Sequence, residues 1–155
     1  MSFYVNPKIR IKRSADQQEM MQKLLSGNKI FDAYRDILVL SAIIGYVNKA
    51  YKPITRQASD GVLMQFFTET DYDLMDLIAY SHTQEQYILK SDDKYEVFAA
   101  YANGGFPILL ELLDINEQTE IDTSRQEAIL VKLASLLLTS QIQLAPTDNS
   151  DLFAH

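Results

Sequence analysis

The sequence contains no cysteine and no tryptophan, and its only histidines are His82 and His155. Without cysteine the chain has no disulfide, no thiolate nucleophile and no cysteine-ligated zinc or iron–sulfur site. No apolar run reaches the roughly 18 residues that a membrane-spanning helix needs. Because the first residues lack a charged segment leading into an apolar one, no signal peptide is expected. Together these absences favour a cytoplasmic protein.

The composition is that of an ordinary globular protein. The chain has 155 residues, of which 47% are hydrophobic and 23% charged. This length favours one domain, which buries roughly two-thirds of the surface of the unfolded chain. Because Pro146 should end the last helix, the sequence predicts a single domain over residues 1–145 and a flexible tail over residues 146–155.

The charge of the chain is divided unequally between its two parts. Residues 1–60 carry ten basic and five acidic side chains, net +5, whereas residues 61–155 carry four basic and sixteen acidic ones, net −12. This asymmetry suggests an anionic partner for the first part. Alternatively, the two parts attract each other, either within one fold or between copies of the chain. A homodimer is therefore one of the expected assemblies.

Apolar residues recur at three- and four-residue steps along most of the chain, which is typical of amphipathic helices. We therefore expect a mainly α fold, a compact bundle of about seven short helices. Residues 7–13 alternate apolar and basic side chains and predict a small N-terminal strand. Residues 59–67 are expected to form a short helix. The Asn103-Gly104-Gly105 segment predicts a turn, with Pro107 in the first turn of a new helix.

Basic residues in the N-terminal segment are the best candidates for contact with phosphate groups. Four cations on a short extended segment could follow a nucleic-acid backbone. The alternative is a solvated, charged edge strand that resists aggregation. The predicted DNA-binding residues are Lys8, Arg10, Lys12, Arg13 and Arg35.

The sequence offers little catalytic chemistry. Asp76, Asp92 and Lys94 have a spacing found in magnesium-dependent nucleases, in which two acids hold the metal and a lysine stabilises charge. Those residues normally lie on strands, however, and here the acids fall near helix starts, where they favour the helix dipole. No phosphate-binding P-loop motif occurs. We therefore expect no catalytic residues, no metal site and no cofactor, with a nuclease as a distant alternative.

Several segments together resemble a family of small bacterial proteins, DNA phosphorothioation-associated protein 4. The resemblance covers roughly residues 8–113, and residues 114–155 have no counterpart in it. The most specific part is Tyr101-Ala102-Asn103-Gly104-Gly105. The other parts are Asp36-Ile37-Leu38-Val39-Leu40-Ser41-Ala42-Ile43-Ile44-Gly45-Tyr46, Asp76-Leu77-Ile78-Ala79 with Ile88-Leu89, Ile9-Arg10 and Glu19-Met20.

The resemblance implies a protein of a bacterial DNA-modification and defence system, in which sulfur replaces a non-bridging phosphate oxygen of DNA. It implies no catalytic residues. We expect a non-catalytic accessory protein that binds other protein components of the system. The predicted contacts are the acidic half of the chain and a patch formed by Tyr101, Asn103, Gly104, Gly105 and Phe106. The alternative is a DNA-binding or DNA-sensing module that uses the basic N-terminal segment.

Overall fold

The structure, a computed structural model, describes the backbone of residues 2–153 and the side chains of residues 2–138. Most of the chain is helical, which confirms the predicted class. The α-helices are α1 (Gln18–Leu25), α2 (Tyr34–Val47), α3 (Glu69–Thr83), α4 (Asp93–Leu112) and α5 (Thr123–Phe153). Short 3₁₀ turns lie at Ala15–Gln17, Met64–Phe66 and Gln86–Lys90. Strand β1 (Arg10–Ile11) pairs antiparallel with β2 (Val62–Leu63).

The predicted count of about seven helices is wrong, because the described residues form five α-helices. The expected N-terminal strand is present as β1. The helix expected over residues 59–67 is replaced by β2 and a 3₁₀ turn. Ile11 and Val62 face each other across the two strands and are both buried. Their β-branched side chains suit a strand, and this pairing overrides the weak helical spacing.

Helices α2 and α4 approach each other closely at three glycines. A β-carbon on Gly45 would overlap the carbonyl oxygen of Tyr101, and one on Gly105 would overlap that of Ser41. A β-carbon on Gly104 would meet the carbonyl oxygen of Ala50, just beyond α2. The two backbones can touch only because these positions lack side chains.

Helix α4 continues through residues 103–105 and contains Pro107. The predicted turn is therefore wrong. Each glycine costs about 1 kcal/mol in a helix relative to alanine, but the contact with α2 offsets that cost. Proline at position 107 removes the amide that would bond to the carbonyl of Asn103. The side chain of Gln17 donates to that carbonyl instead, at 2.9 Å from its Nε2 atom.

The remaining helices enclose this pair to different extents. The core includes Met21 and Leu24 of α1, and Met75 and Ile78 of α3. In α5, between residues 123 and 138, Ile129 is the buried side chain. None of the described helices is both long enough and apolar enough to cross a membrane.

Helix α5 runs to Phe153, past Pro146, where the sequence predicts its end. Side chains beyond residue 138, including those of the expected tail, lie outside the described residues. The division into a domain over residues 1–145 and a tail over residues 146–155 stays a prediction.

Substitution of Gly105 with alanine should lower the free energy of unfolding by about 3 kcal/mol, because the methyl group must push α4 away from Ser41. Urea denaturation monitored by circular dichroism measures the change. Gly27→Ala is the matched control. Gly27 has a φ of 59° and open space around it, so alanine there costs only the backbone strain, about 1 kcal/mol. An equal decrease in the free energy of unfolding of the two variants would contradict the close contact between α2 and α4.

Candidate functional site

The basic N-terminal segment does not form a uniform row of free cations. The exposed Lys12 ammonium pairs with Glu96 of α4 at 2.7 Å. Lys8 is exposed, and Arg10 Nη1 lies 3.5 Å from the carbonyl oxygen of Gly61. Among the described residues, neither Lys8 nor Arg10 forms an ion pair. These two cations are therefore the ones still available to an external anion.

Arg13 of the same segment is a buried cation, with 3% of its surface exposed. Its guanidinium donates to the side-chain oxygen of Gln18 and, at 2.6 Å, to the carbonyl oxygen of Asp60. It also lies 4.0 Å from the centre of the Tyr34 ring. Burial lowers the pKa of Arg13, opposed by the nearby Tyr34 and Asp60. Within the described part of the chain, no carboxylate forms an ion pair with it.

Arg35, the fifth predicted DNA-binding residue, joins α2 to α3. Its Nε and Nη2 atoms donate to the two carboxylate oxygens of Asp71 at 2.7 and 2.5 Å, and Nη1 reaches Asp36 at 2.7 Å. The Asp71 carboxylate also accepts a hydrogen bond from the backbone amide of Thr68. In return, the Thr68 hydroxyl accepts one from the backbone amide of Asp71. These two bonds cap the N-terminus of α3. The guanidinium of Arg35 is thus occupied by ion pairs within the fold.

Three of the predicted DNA-binding residues line one cleft. Arg10, Arg13 and Arg35 come from β1, the segment after it and α2, and they border a cavity of about 440 Å³. The N-terminus of α2 and the aromatic rings of Tyr34 and Phe66 line the same cavity. The sequence indicated these cations as candidates but could not show that they line one cleft. That arrangement depends on the pairing of β1 with β2 and on the position of α2.

The acidic residues of the nuclease hypothesis, Asp76 and Asp92, bond to neighbouring side chains of the fold. The Lys94 ammonium is buried, pairs with Asp76 at 2.8 Å and also donates to the carbonyl oxygens of Tyr4 and Leu89. Asp92 instead accepts from Tyr4 and Asn6. The described residues contain no group of three or more side chains able to hold a metal ion. The arrangement anchors the N-terminal segment on α4.

The predicted partner-binding patch lies mostly inside the helix pair. Tyr101, Asn103, Gly105 and Phe106 are buried, and Gly104 is partly buried. The Tyr101 hydroxyl is 2.8 Å from Nδ1 of His82, and the Asn103 amide donates to the carbonyl oxygen of Lys52 at 2.8 Å. The residues expected on an exposed turn therefore pack within α4, and their role in partner binding stays a prediction.

A second feature that sequence reasoning missed is the exposed apolar stretch of α5. Leu133 and Leu136 pack partly against the core. Four other large apolar side chains are exposed, and they form two pairs spaced by seven residues. These residues are Leu130, Val131, Leu137 and Leu138. The spacing places all four on one side of the helix, a signal present in the sequence but indistinguishable there from a core-facing stripe.

Comparison with known families identifies a matching family model. The model of the family described as DNA sulphur modification system-associated protein 4 matches residues 10–143. The chain belongs to this family. A search of curated proteins and a search of solved structures find no match.

Membership confirms the resemblance and extends it. The family match continues to residue 143, whereas the resemblance seen in the sequence ended near residue 113. The exposed stretch of α5 therefore lies within the region that the family model matches. The family description associates the chain with a DNA sulphur modification system.

The ion pair between Asp71 and Arg35 should make stability depend on pH. Burial raises the pKa of Asp71, but the hydrogen bonds from Arg35 and Thr68 outweigh burial and hold it below its usual value. Because the pKa of Asp71 is lower in the folded state than in the unfolded state, its ionised carboxylate stabilises the folded protein. This contribution is complete above about pH 4 and disappears as pH falls through the folded-state pKa. The free energy of unfolding should therefore decrease below about pH 4.

Asp71→Asn tests this dependence, because the amide cannot titrate. We expect the variant to be about 3 kcal/mol less stable at pH 7, since Arg35 loses the buried one of its two carboxylate partners and keeps Asp36. Urea denaturation measures the free energy of unfolding of both proteins. The difference between the variant and the parent protein in this free energy should become smaller as pH falls from 4 to 2. A difference that stays constant over that range would exclude a lowered Asp71 pKa.

Proposed function

We propose that the chain is a non-catalytic, cytoplasmic accessory component of a bacterial DNA sulphur modification system and that it binds another protein of that system through α5. The observation that carries the proposal is the exposed row of Leu130, Val131, Leu137 and Leu138. Contiguous exposed apolar side chains mark interaction sites in soluble proteins. Family membership supports a partner that belongs to a DNA sulphur modification system.

The spacing on α5 indicates the form of the contact. The exposed side chains repeat after seven residues, which matches the seam of helices that pack side by side. The adjoining Ile129, Leu133 and Leu136 hold the helix to the body of the protein. The Gln126 side chain adds a hydrogen bond of 2.9 Å to the carbonyl oxygen of Lys29. We therefore infer that the partner contributes an apolar helix face.

A capture experiment with a tagged protein in its native host tests the proposal. The double variant Val131→Glu/Leu138→Glu should reduce recovery of the partner at least tenfold, because each charge would enter an apolar contact. Nuclease treatment should leave recovery by the parent protein unchanged. Mass spectrometry identifies the partner, which should be encoded beside this chain.

The matched control is Val47→Glu/Leu77→Glu. Val47 is 71% exposed against 66% for Val131, and Leu77 is 62% exposed against 57% for Leu138, but they lie on α2 and α3. This variant should retain the partner. Equal recovery of the partner by the two double variants would contradict the proposal that α5 carries the binding surface. Sedimentation of the purified protein tests a homodimer, and a dimer disrupted only by the α5 variant would assign the surface to a second copy.

A DNA-binding role through the N-terminal segment is the second candidate, supported by the availability of Lys8 and Arg10. The negative overall charge opposes tight non-specific binding to DNA. If the two side chains contact phosphates, Lys8→Ala/Arg10→Ala should weaken binding and lower the slope of log affinity against log salt by about two. Fluorescence anisotropy with labelled duplex DNA measures both quantities.

The control for this prediction is Lys52→Ala/Lys90→Ala, which removes the same charge from exposed positions outside the N-terminal segment. If both variants lose affinity equally, the effect is one of net charge and the role of the segment is refuted. Unchanged affinity in the Lys8→Ala/Arg10→Ala variant would refute it as well.

A further inference from the structure

The cleft between β1 and α2 contains a buried cation, Arg13, that forms no ion pair with any carboxylate in the described part of the chain. The partners of Arg13 are the Gln18 amide oxygen, the Asp60 carbonyl oxygen and the face of the Tyr34 ring, all of them neutral. Its Nε atom is buried and has no hydrogen-bond partner. Burying an unpaired cation is costly, and an anion that enters the cleft would offset that cost.

The N-terminus of α2 opens onto the same cleft. Ala33 occupies the capping position and has no side chain that can accept from the first amides of the helix. Those amides and the helix dipole favour a bound anion. Because α2 has 14 residues, its dipole is fully developed, and Arg13 supplies a second, independent feature at the same place.

Two acidic residues also border the cleft and limit its positive charge. The Asp32 carboxylate lies 3.1 Å from Lys29, which offsets its charge. Asp60 contacts Arg13 through its backbone carbonyl, and its carboxylate raises the pKa of Arg13 without forming an ion pair with it. Since Arg35 is already bound to Asp71 and Asp36, an incoming anion would be held mainly by Arg10 and Arg13.

The size and the aromatic lining of the cleft indicate more than a simple ion. A cavity of about 440 Å³ lies in the range of small-molecule sites, and the exposed Phe66 ring stands at its border. Exposed aromatic rings stack on nucleic-acid bases. We propose that this cleft binds a nucleotide, with the phosphate at Arg10, Arg13 and the α2 N-terminus and the base on Phe66. The ligand is either a free nucleotide or the terminal nucleotide of a DNA strand.

Isothermal titration calorimetry at low salt compares four ligands: adenosine monophosphate, inorganic phosphate, a short oligonucleotide with a 5′-phosphate and the same oligonucleotide without it. Binding of the monophosphate alone identifies a free nucleotide. Binding of the oligonucleotide that depends on its 5′-phosphate identifies a strand end. Either result supports the proposal, which is independent of partner binding by α5.

Two pairs of variants locate the binding. Gln22→Glu adds a negative charge at an exposed position of the cleft and should weaken binding about tenfold, whereas Gln86→Glu, elsewhere on the surface, should not. Phe66→Ala should weaken binding at least about fivefold, whereas Phe3→Ala, also an exposed phenylalanine, should not. All four positions are exposed, so the variants should remain folded.

Several results would overturn the proposal. One is the absence of binding by any phosphate-bearing ligand. A second is equal affinity for inorganic phosphate and the monophosphate, because the base would then contribute nothing. A third is equal weakening by a cleft variant and its control, because binding would then lie outside the cleft.

Discussion

The close contact between α2 and α4 is the constraint on which the rest of the structure depends. Glycines at positions 45, 104 and 105 let the two backbones meet. The contact keeps α4 continuous across a segment that would otherwise form a turn. It also brings Asn103 within reach of Gln17 and of the carbonyl of Lys52, so the chain on either side of α2 is fixed to α4. The N-terminal segment and α1 take their positions from this pair.

Internal ion pairs then determine which charges remain available. The basic N-terminal part of the chain is neutralised in places by acids from the later part, as Lys12 is by Glu96 and Arg35 by Asp71. This supports attraction between the two parts within one fold. Of the cations in residues 7–13, Lys8 and Arg10 remain on the surface without an ion pair, and Arg13 lies in the cleft. Lys49 and Lys52, which follow α2, are also exposed.

The sequence predicted the helical class, the N-terminal strand and the family, because helical periodicity and the Tyr101–Gly105 segment are local signals. It did not predict the role of Gly104 and Gly105, since glycines that break a helix and glycines that admit a neighbouring backbone look alike until the neighbour is known. The burial of Arg13 and Lys94 was equally hidden, because Arg13 bonds to Asp60, 47 residues away, and Lys94 to Asp76, 18 residues away. Exposed and core-facing leucines of α5 share one periodicity, so only the packing separates them.

Amide hydrogen exchange of the free protein tests the central claim most directly. The account predicts that amides of residues 104–106 exchange as slowly as those of residues 41–45, at the rate of global unfolding, because both sets lie in the contact between α2 and α4. Exchange of residues 104–106 at the rate of an exposed turn, with residues 41–45 still protected, would contradict it. The glycine pair would then be a surface turn, and the close contact between α2 and α4 would be absent.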